Sequence, residues 1–366
     1  MSIGILHTES SPSLGGQELR VLLEMEALAT RDCESVLVAR PGTPILKEAE
    51  RRGLTAYGVA MRSSLDLPSI IRIARLMQYH RIDVVNAHNS KDAWNAALAA
   101  RALGIPVIRA RHIASRIRSG YFGRLIYGPL CDAVMTTGHD IAAGLVERGV
   151  DAAKIEVIPT GIDLARFADA APGTLRTDLG IPAGATLVGQ VAVLRGDKGP
   201  EFFVKAAQQL LAEGLDAWFV LVGEGAARRR VGALLAAGGH ADRIKLAGYR
   251  RDIPAILADL DLFVLAARSP EGVPQAVLQA HAARVPVVAT TVGGVREVAI
   301  HGETAWCAAP RDAHGLAAAI RRLLEDKALA AELAERGHRM VIEEYSLERM
   351  LDRMEALYRH QANCRS

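Results

Sequence analysis

Residues 257–297 read LADLDLFVLAARSPEGVPQAVLQAHAARVPVVATTVGGVRE. Leu262 to Ala266 is apolar without alternation, the pattern of a strand buried on both faces. A turn follows, Ser269 to Pro274, and then a helical stretch from Gln275 to Ala283. Pro274 suits the first turn of that helix, where its missing N–H costs nothing. Val285 to Thr290 predicts a second buried strand, leading into Gly293-Gly294 and a further helix that Glu297 opens, where a carboxylate complements the dipole. Strand, helix and strand in this order make a βαβ unit of a parallel sheet. The unit delivers Glu271 to the mouth of a helix, beside Gly272 and the backbone of Val273, Pro274 and Gln275. Helix starts favour anions, yet a carboxylate already sits here. A ligand rich in hydroxyls satisfies both, because Glu271 accepts and the N–H groups donate; a sugar fits. The plainer reading is an αβ unit with an exposed acid on its loop.

Upstream the same alternation continues. Leu187–Leu194 predicts a strand, and Arg195-Gly196-Asp197-Lys198-Gly199-Pro200 turns it into the helix Glu201–Ala212. Two cations three residues apart at a strand end, beside flexible glycines, suit a diphosphate: Arg forks across two oxygens and Lys adds a mobile charge. A basic αβ turn is the bland alternative. Phe219–Val222 is a buried strand ending at Gly223, and Ile244–Gly248 is another, followed by Tyr249 and Arg250. Residues 312–342 and 345–361 carry amphipathic helical periodicity.

The N-terminal half opens with the β run Ile3–Leu6. The loop from His7 to Gly16 follows, and then a helix near Gln17. Gly15-Gly16 lets backbone approach a ligand, though a plain β–α turn has equal claim. Further β runs fall at Ser35–Ala39, Thr55–Val59, Val84–Ala87, Val107–Ala110, Ala133–Thr136 and Ile155–Ile158, with helical patterns such as Leu67–His80 and Asp92–Leu103 between them. That alternation argues for a doubly wound parallel sheet. Ligands bind such sheets at the carboxyl ends of the strands, which singles out His88, Asn89, Asp92, Arg111 and His112. In the stretch 109–128, RARHIASRIRSGYFGRLIYG, five arginines interleave with Tyr121, Phe122 and Tyr127. It fits either an anionic membrane surface or a solvated face over a buried aromatic helix.

These segments together resemble the retaining glycosyltransferases of family 4, which have the GT-B fold of two Rossmann-like domains facing a central cleft. The resemblance runs from Gly15 to the last helix. Glu271 matches the first acid of the family's Glu-x7-Glu signature, which contacts the donor sugar. The second acid, which holds the nucleotide ribose, is Gln279 here; glutamine still accepts from one hydroxyl and donates to another. The family's helix-end glycine is Arg284 here, at a cost of up to roughly 1–2 kcal/mol if that backbone is left-handed. By the same resemblance Arg195 and Lys198 bind the donor phosphates and His112 lies beside the donor sugar. Gly15 and Gly16 border the phosphates, Gly223 lies beneath the nucleotide, and Tyr249 and Arg250 stand at the base pocket. The segment Val157–Asp163 with Phe167 matches the interdomain hinge. This implies an N-terminal acceptor domain over 1–165, a donor domain over 166–344, and a crossover helix in 345–366.

Composition is compatible with this. The 366 residues are 50% hydrophobic and 23% charged, enough for two ordinary domains. A formal charge of +3 does not point to nucleic acid. Cys33, Cys131, Cys307 and Cys364 lack ligand spacing, so a structural metal is not expected and a reduced, cytoplasmic setting is. No apolar run reaches the roughly 18 residues of a spanning helix. The expectation is a retaining, metal-independent transferase, without a cofactor. By the resemblance it would move a sugar from a nucleoside diphosphate to a glycan or lipid-linked acceptor of the bacterial envelope, at the inner face of the cytoplasmic membrane. Two other functions stay open on the residues alone: a sugar-nucleotide-binding protein without turnover, and a nucleotide-sugar epimerase of the same fold.

Overall fold

A computed structural model describes residues 2–112 and 121–364. The chain forms two compact units, one comprising residues 1–160 and 348–366, the other 161–347. The boundary expected at 165/166 thus lies inside the second unit.

The first unit holds seven strands: β1 (Ile3–Glu9), β2 (Cys33–Ala39), β3 (Ala56–Gly58), β4 (Val84–Ala87), β5 (Val107–Arg111), β6 (Ala133–Thr136) and β7 (Ile155–Val157). They pair in parallel in the order β3-β2-β1-β4-β5-β6-β7. The order reverses between β1 and β4, which opens a crevice at their carboxyl ends. β1 does not stop at Leu6 as its apolar run predicts. His7, Thr8 and Glu9 continue the ladder to β2 and are fully buried; polar side chains persist in the strand because each finds a hydrogen-bond partner. The helix Leu347–Asn363 returns to this unit through Tyr358, whose hydroxyl accepts from Asn86 Nδ2 at 2.7 Å. Arg31 ties the same helix by ion pairs to Glu348 and Asp352.

In the second unit β8 (Leu187–Val191), β9 (Trp218–Val222), β10 (Ile244–Gly248), β11 (Leu262–Leu265), β12 (Val287–Thr290) and β13 (Trp306–Ala308) form a parallel sheet in the order β10-β9-β8-β11-β12-β13. Its order reverses between β8 and β11. Val264 and Val288 pack to one face and Phe263 and Val287 to the other, so both faces are covered. Asp312 and Asp326 cap the helices Ala313–Glu325 and Lys327–Glu344 by accepting from Gly315 and Leu329 N–H. The helix expected to open at Glu297 is instead a short 3-10 turn, Gly293–Glu297, that ends on it.

Helix Gln275–Ala282 ends in a Schellman arrangement: Val285 N–H donates to the Ala280 carbonyl (2.9 Å) and Arg284 N–H to that of His281 (3.0 Å). Arg284 therefore sits left-handed, at φ 53°. Its exposed ion pair with Glu335 contributes little. Arg284→Gly should raise stability by about 1 kcal/mol, roughly 2–4 °C in the midpoint of a unit this size. A thermal melt showing no rise would mean that side-chain contacts outweigh the backbone strain.

Candidate active site

β8 and β11 are spatial neighbours but far apart in sequence, and the segments leaving them meet where the strand order turns. The first runs through a 3-10 turn, Gly196–Lys198, into the helix Pro200–Ala212. The second carries Arg268 to Glu271. There the Lys198 ammonium donates to Glu271 Oε2. Both side chains are largely buried, at 19% and 16% exposure. The other carboxylate oxygen, Glu271 Oε1, is buried without a hydrogen-bond partner among the described residues. Buried carboxylate oxygens are normally satisfied, so Glu271 is suited to a ligand that donates, such as a hydroxyl.

Backbone packing sets this geometry. Gly199 is left-handed (φ 59°), and a Cβ on it would run into the Ala266 carbonyl oxygen at the end of β11. Gly293 and Gly294 pack directly on the acid's own segment. A Cβ on Gly293 would lie 2.6 Å from the Glu271 carbonyl oxygen, and Gly294 N–H donates to that oxygen at 2.8 Å. So the double glycine, read from sequence only as a lead into a helix, clamps the turn that presents Glu271. From within β8, buried Gln190 donates to the Lys198 carbonyl at 2.9 Å and steadies the opposite segment.

Several groups that the sequence reading passed over stand here too. Arg268 N–H donates to the Asp197 carbonyl (2.8 Å), and its guanidinium lies against Gly196 and 3.7 Å from Glu201. Arg230 also pairs with Glu201. Arg268 directly follows an apolar strand run, which is the signal that could have found it. Arg195 grips Asp197 through Nε (3.1 Å) and Nη2 (2.8 Å) and remains 60% exposed, so its fork is oriented yet accessible.

Arg250 is differently employed. It forks onto Asp252, reaches Asp178 at 2.6 Å and donates to Thr174, so most of its donors join one loop to two helices. Tyr249 beside it is exposed. Gly223 turns the end of β9, where a Cβ would strike the Ala192 carbonyl oxygen. Gln279 lies half-buried about one turn into the helix that Gln275 starts.

In the first unit, His88 follows β4 and His112 follows β5, while His7 lies within β1. His88 Nε2 bonds His7 Nδ1 (3.2 Å), and His88 Nδ1 bonds His112 Nε2 (3.0 Å). A neutral His88 donates through one nitrogen and accepts through the other, so the two bonds run in the same sense and couple the tautomer of His112 to that of His7. His7, His88 and Glu24 bring ligating atoms within 4.8 Å of one another. The Arg20 guanidinium already holds Glu24 at 2.5 Å, however, and the two histidines are bonded together, so the set is poorly suited to a further cation. Asp92 accepts from Thr8, Ser10, His88 N–H and Asn89 N–H. Gly15 donates its N–H to Glu18 (2.7 Å) and caps the helix Gly16–Leu28, whereas Gly16 faces open space.

Within the stretch 109–128, Arg109 is buried, with its guanidinium over the Tyr127 ring at 4.9 Å, and Arg111 donates to the Tyr127 hydroxyl. These groups belong to internal packing and not to a membrane face. Arg116, Arg118 and the side chains of Tyr121 and Phe122 lie outside the described residues.

Residues 14–166 match the family model described as Glycosyltransferase Family 4, and residues 173–340 the one described as Glycosyl transferases group 1. The chain is 26% identical to the UDP-Gal:alpha-D-GlcNAc-diphosphoundecaprenol alpha-1,3-galactosyltransferase of Escherichia coli, over 97% of this chain and 96% of that protein. It is 28% identical to the lipopolysaccharide core biosynthesis glycosyltransferase LpsE of Rhizobium meliloti, over 92% and 94%. Among solved structures, a glycosyltransferase from Rickettsia africae superposes with a TM-score of 0.89 at 21% identity, covering 98% of both chains. Anabaena HepE in complex with UDP gives 0.85 at 20% identity, covering 98% and 99%. The fold is the two-domain GT-B architecture.

The histidine chain has a consequence for acid stability. Burial holds His7 down to about 3, and burial with neighbouring positive charge holds His88 and His112 well below the ordinary value. The stability they confer is complete above about pH 6.5, where the unfolded chain is also neutral, and is lost as pH falls from there towards about 3. At pH 5 the loss from His7 alone is about 2 kcal/mol. Glu9 acts in the opposite sense: burial and the nearby Asp92 raise it to about 7, so its contribution declines as pH rises from about 4.5 to 7. His7→Asn should therefore show a smaller drop in melting temperature between pH 7 and pH 5 than the wild type. Equal drops would mean that folded His7 takes up its proton readily.

Proposed function

Since the chain belongs to the glycosyltransferases built from a family 4 domain followed by a group 1 domain, we propose that it transfers a sugar with retention, and without a metal, from a nucleoside diphosphate to a lipid-linked or lipopolysaccharide-type glycan acceptor. The observation that carries this reading is the Lys198–Glu271 pair with its orphaned Oε1. One carboxylate oxygen is spent on the cation, and the other is left to accept from a sugar hydroxyl. The activities of the Escherichia coli and Rhizobium relatives support the acceptor class.

In this mechanism the bond between the anomeric carbon and the diphosphate oxygen breaks first. Arg195 and Lys198 offset the charge that gathers on the leaving group, an interaction stronger in the transition state than in the ground state. Glu271 holds the sugar through its free oxygen, which accepts from a hydroxyl. The acceptor hydroxyl attacks the face that the diphosphate has left, and its proton passes to the departing phosphate oxygen. Val273 and Gln275 N–H groups at the helix start face the same negative charge, while Gln279 contacts the ribose. No step calls on a cofactor.

A second reading, binding without turnover, is favoured by one feature, the glutamine at position 279 where the family signature has an acid. A radiolabelled donor with purified chain separates the two: retention of donor with neither transfer nor slow hydrolysis would select the binding protein. Formation of a new sugar nucleotide with no acceptor present would select an epimerase. Thermal-shift screening against UDP, GDP, ADP, CMP and their sugars identifies the donor.

Glu271→Ala and Lys198→Ala should each lower transfer at least tenfold, about 1.4 kcal/mol or more; wild-type rates in both would remove the site. Gln279→Glu should alter donor affinity more than turnover. A large change in kcat at constant donor affinity would place residue 279 at the reacting centre instead.

A further inference from the structure

The helix Leu67–Tyr79 has two unlike faces. Ser69, Ile73 and Met77 are buried, the last two in the core that covers β4 and β5. The other face leaves Leu67 64%, Ile71 44% and Tyr79 78% exposed, and Leu65, just before the helix, is 66% exposed. At 3.6 residues per turn, Leu67, Ile71, Arg75, Tyr79 and Arg72 fall within an arc of about 140°. Arg62, Arg72, Arg75 and Arg81 are exposed on and around it. Asp66 is the sole acid between Met61 and Arg81, and its carboxylate is occupied by Arg62 N–H and Ser69 Oγ, both at 2.9 Å.

Scattered exposed leucines need no explanation, but large apolar side chains gathered on one arc do. Here Arg75 lies within the arc and Arg72 at its edge, Arg62 and Arg81 flank the helix in sequence, and no exposed acid falls between Met61 and Arg81. We propose that this face docks on an anionic lipid bilayer, with Leu65, Leu67, Ile71 and Tyr79 entering the headgroup boundary and the guanidiniums meeting lipid phosphates. Charge selects the bilayer over a second copy of the chain, because two such faces would bring four arginines against four. Among the described residues no helix is long and apolar enough to cross a membrane, so the contact made by this helix is peripheral. The docking surface goes beyond the transfer reaction and does not depend on it.

Co-sedimentation of the full chain with vesicles tests it without donor or acceptor, so its failure is distinct from a failure of the transferase reading. The chain should bind vesicles of phosphatidylcholine mixed with phosphatidylglycerol, bind phosphatidylcholine alone much less, and lose affinity as salt rises. Leu67→Ser with Ile71→Ser, and separately Arg72→Gln with Arg75→Gln, should each reduce partitioning by about tenfold or more. Their melting temperatures should match the wild type, since these side chains are exposed; if either variant melts early, the lipid and salt dependence of the wild type still decides. Wild-type chain that ignores vesicles of both kinds overturns the proposal, as do folded double variants that bind like wild type. So does a concentration-dependent dimer abolished by the Leu67/Ile71 change in a chain that binds no vesicle, which would assign the face to a second copy.

Discussion

Lys198 and Glu271 meet because two strands that are far apart in the chain lie side by side in the sheet. The parallel order β8-β11 sets the segments leaving them side by side, with Arg268 N–H donating to the Asp197 carbonyl, and the carboxyl end of the sheet there is lined by their first residues. Here those residues are a cation and an acid, largely buried and joined. A buried ion pair is poor evidence of stability, since desolvation offsets most of its attraction. Its value is positional: each group holds the other in place, and the carboxylate keeps one oxygen in hand.

Around that pair the structure invests in backbone. Gly199, Gly293 and Gly294 each let one segment lie on another at a distance that a side chain would forbid. Asp197 and Glu201 hold Arg195, Arg230 and Arg268 in one neighbourhood. The result is a cationic turn whose geometry precedes any ligand, the preorganisation that electrostatic catalysis requires. The first unit obtains order at its own strand ends by another route. Its buried histidines and acids satisfy one another in a network around Asp92 and His88, which rigidifies only because nearly every member has a partner.

Most strands were legible from sequence, since a run such as Phe219–Val222 or Val84–Ala87 has no other stable place than a covered parallel sheet. The alternation pointed to a doubly wound parallel sheet but not to its strand order, and that Lys198 and Glu271 share one site was implied only by the family resemblance. Legibility ended where polarity and burial part company. His7, Thr8 and Glu9 look like a loop because hydropathy is blind to hydrogen bonds made with residues some eighty positions away, such as Asp92 and His88. The work of Arg250 was hidden for a like reason, as nothing local says that Asp178 will stand within 2.6 Å. Gly293 and Gly294 announced a turn, but the object they clamp lies on another segment. The left-handed Arg284 was the opposite case: a departure from the family pattern foretold its strain.

The return of the last helix bears on how the chain is made. Asn86 and Arg31 leave the ribosome early, yet their partners Tyr358, Glu348 and Asp352 emerge only after the whole of residues 161–347. Until then the core around Met354 and Tyr358 has an open seam, while the second unit, contiguous from 161 to 347, has all its pieces. The unit begun first is thus finished last, and a chain cut after Leu347 would carry one complete domain downstream of an unsealed one.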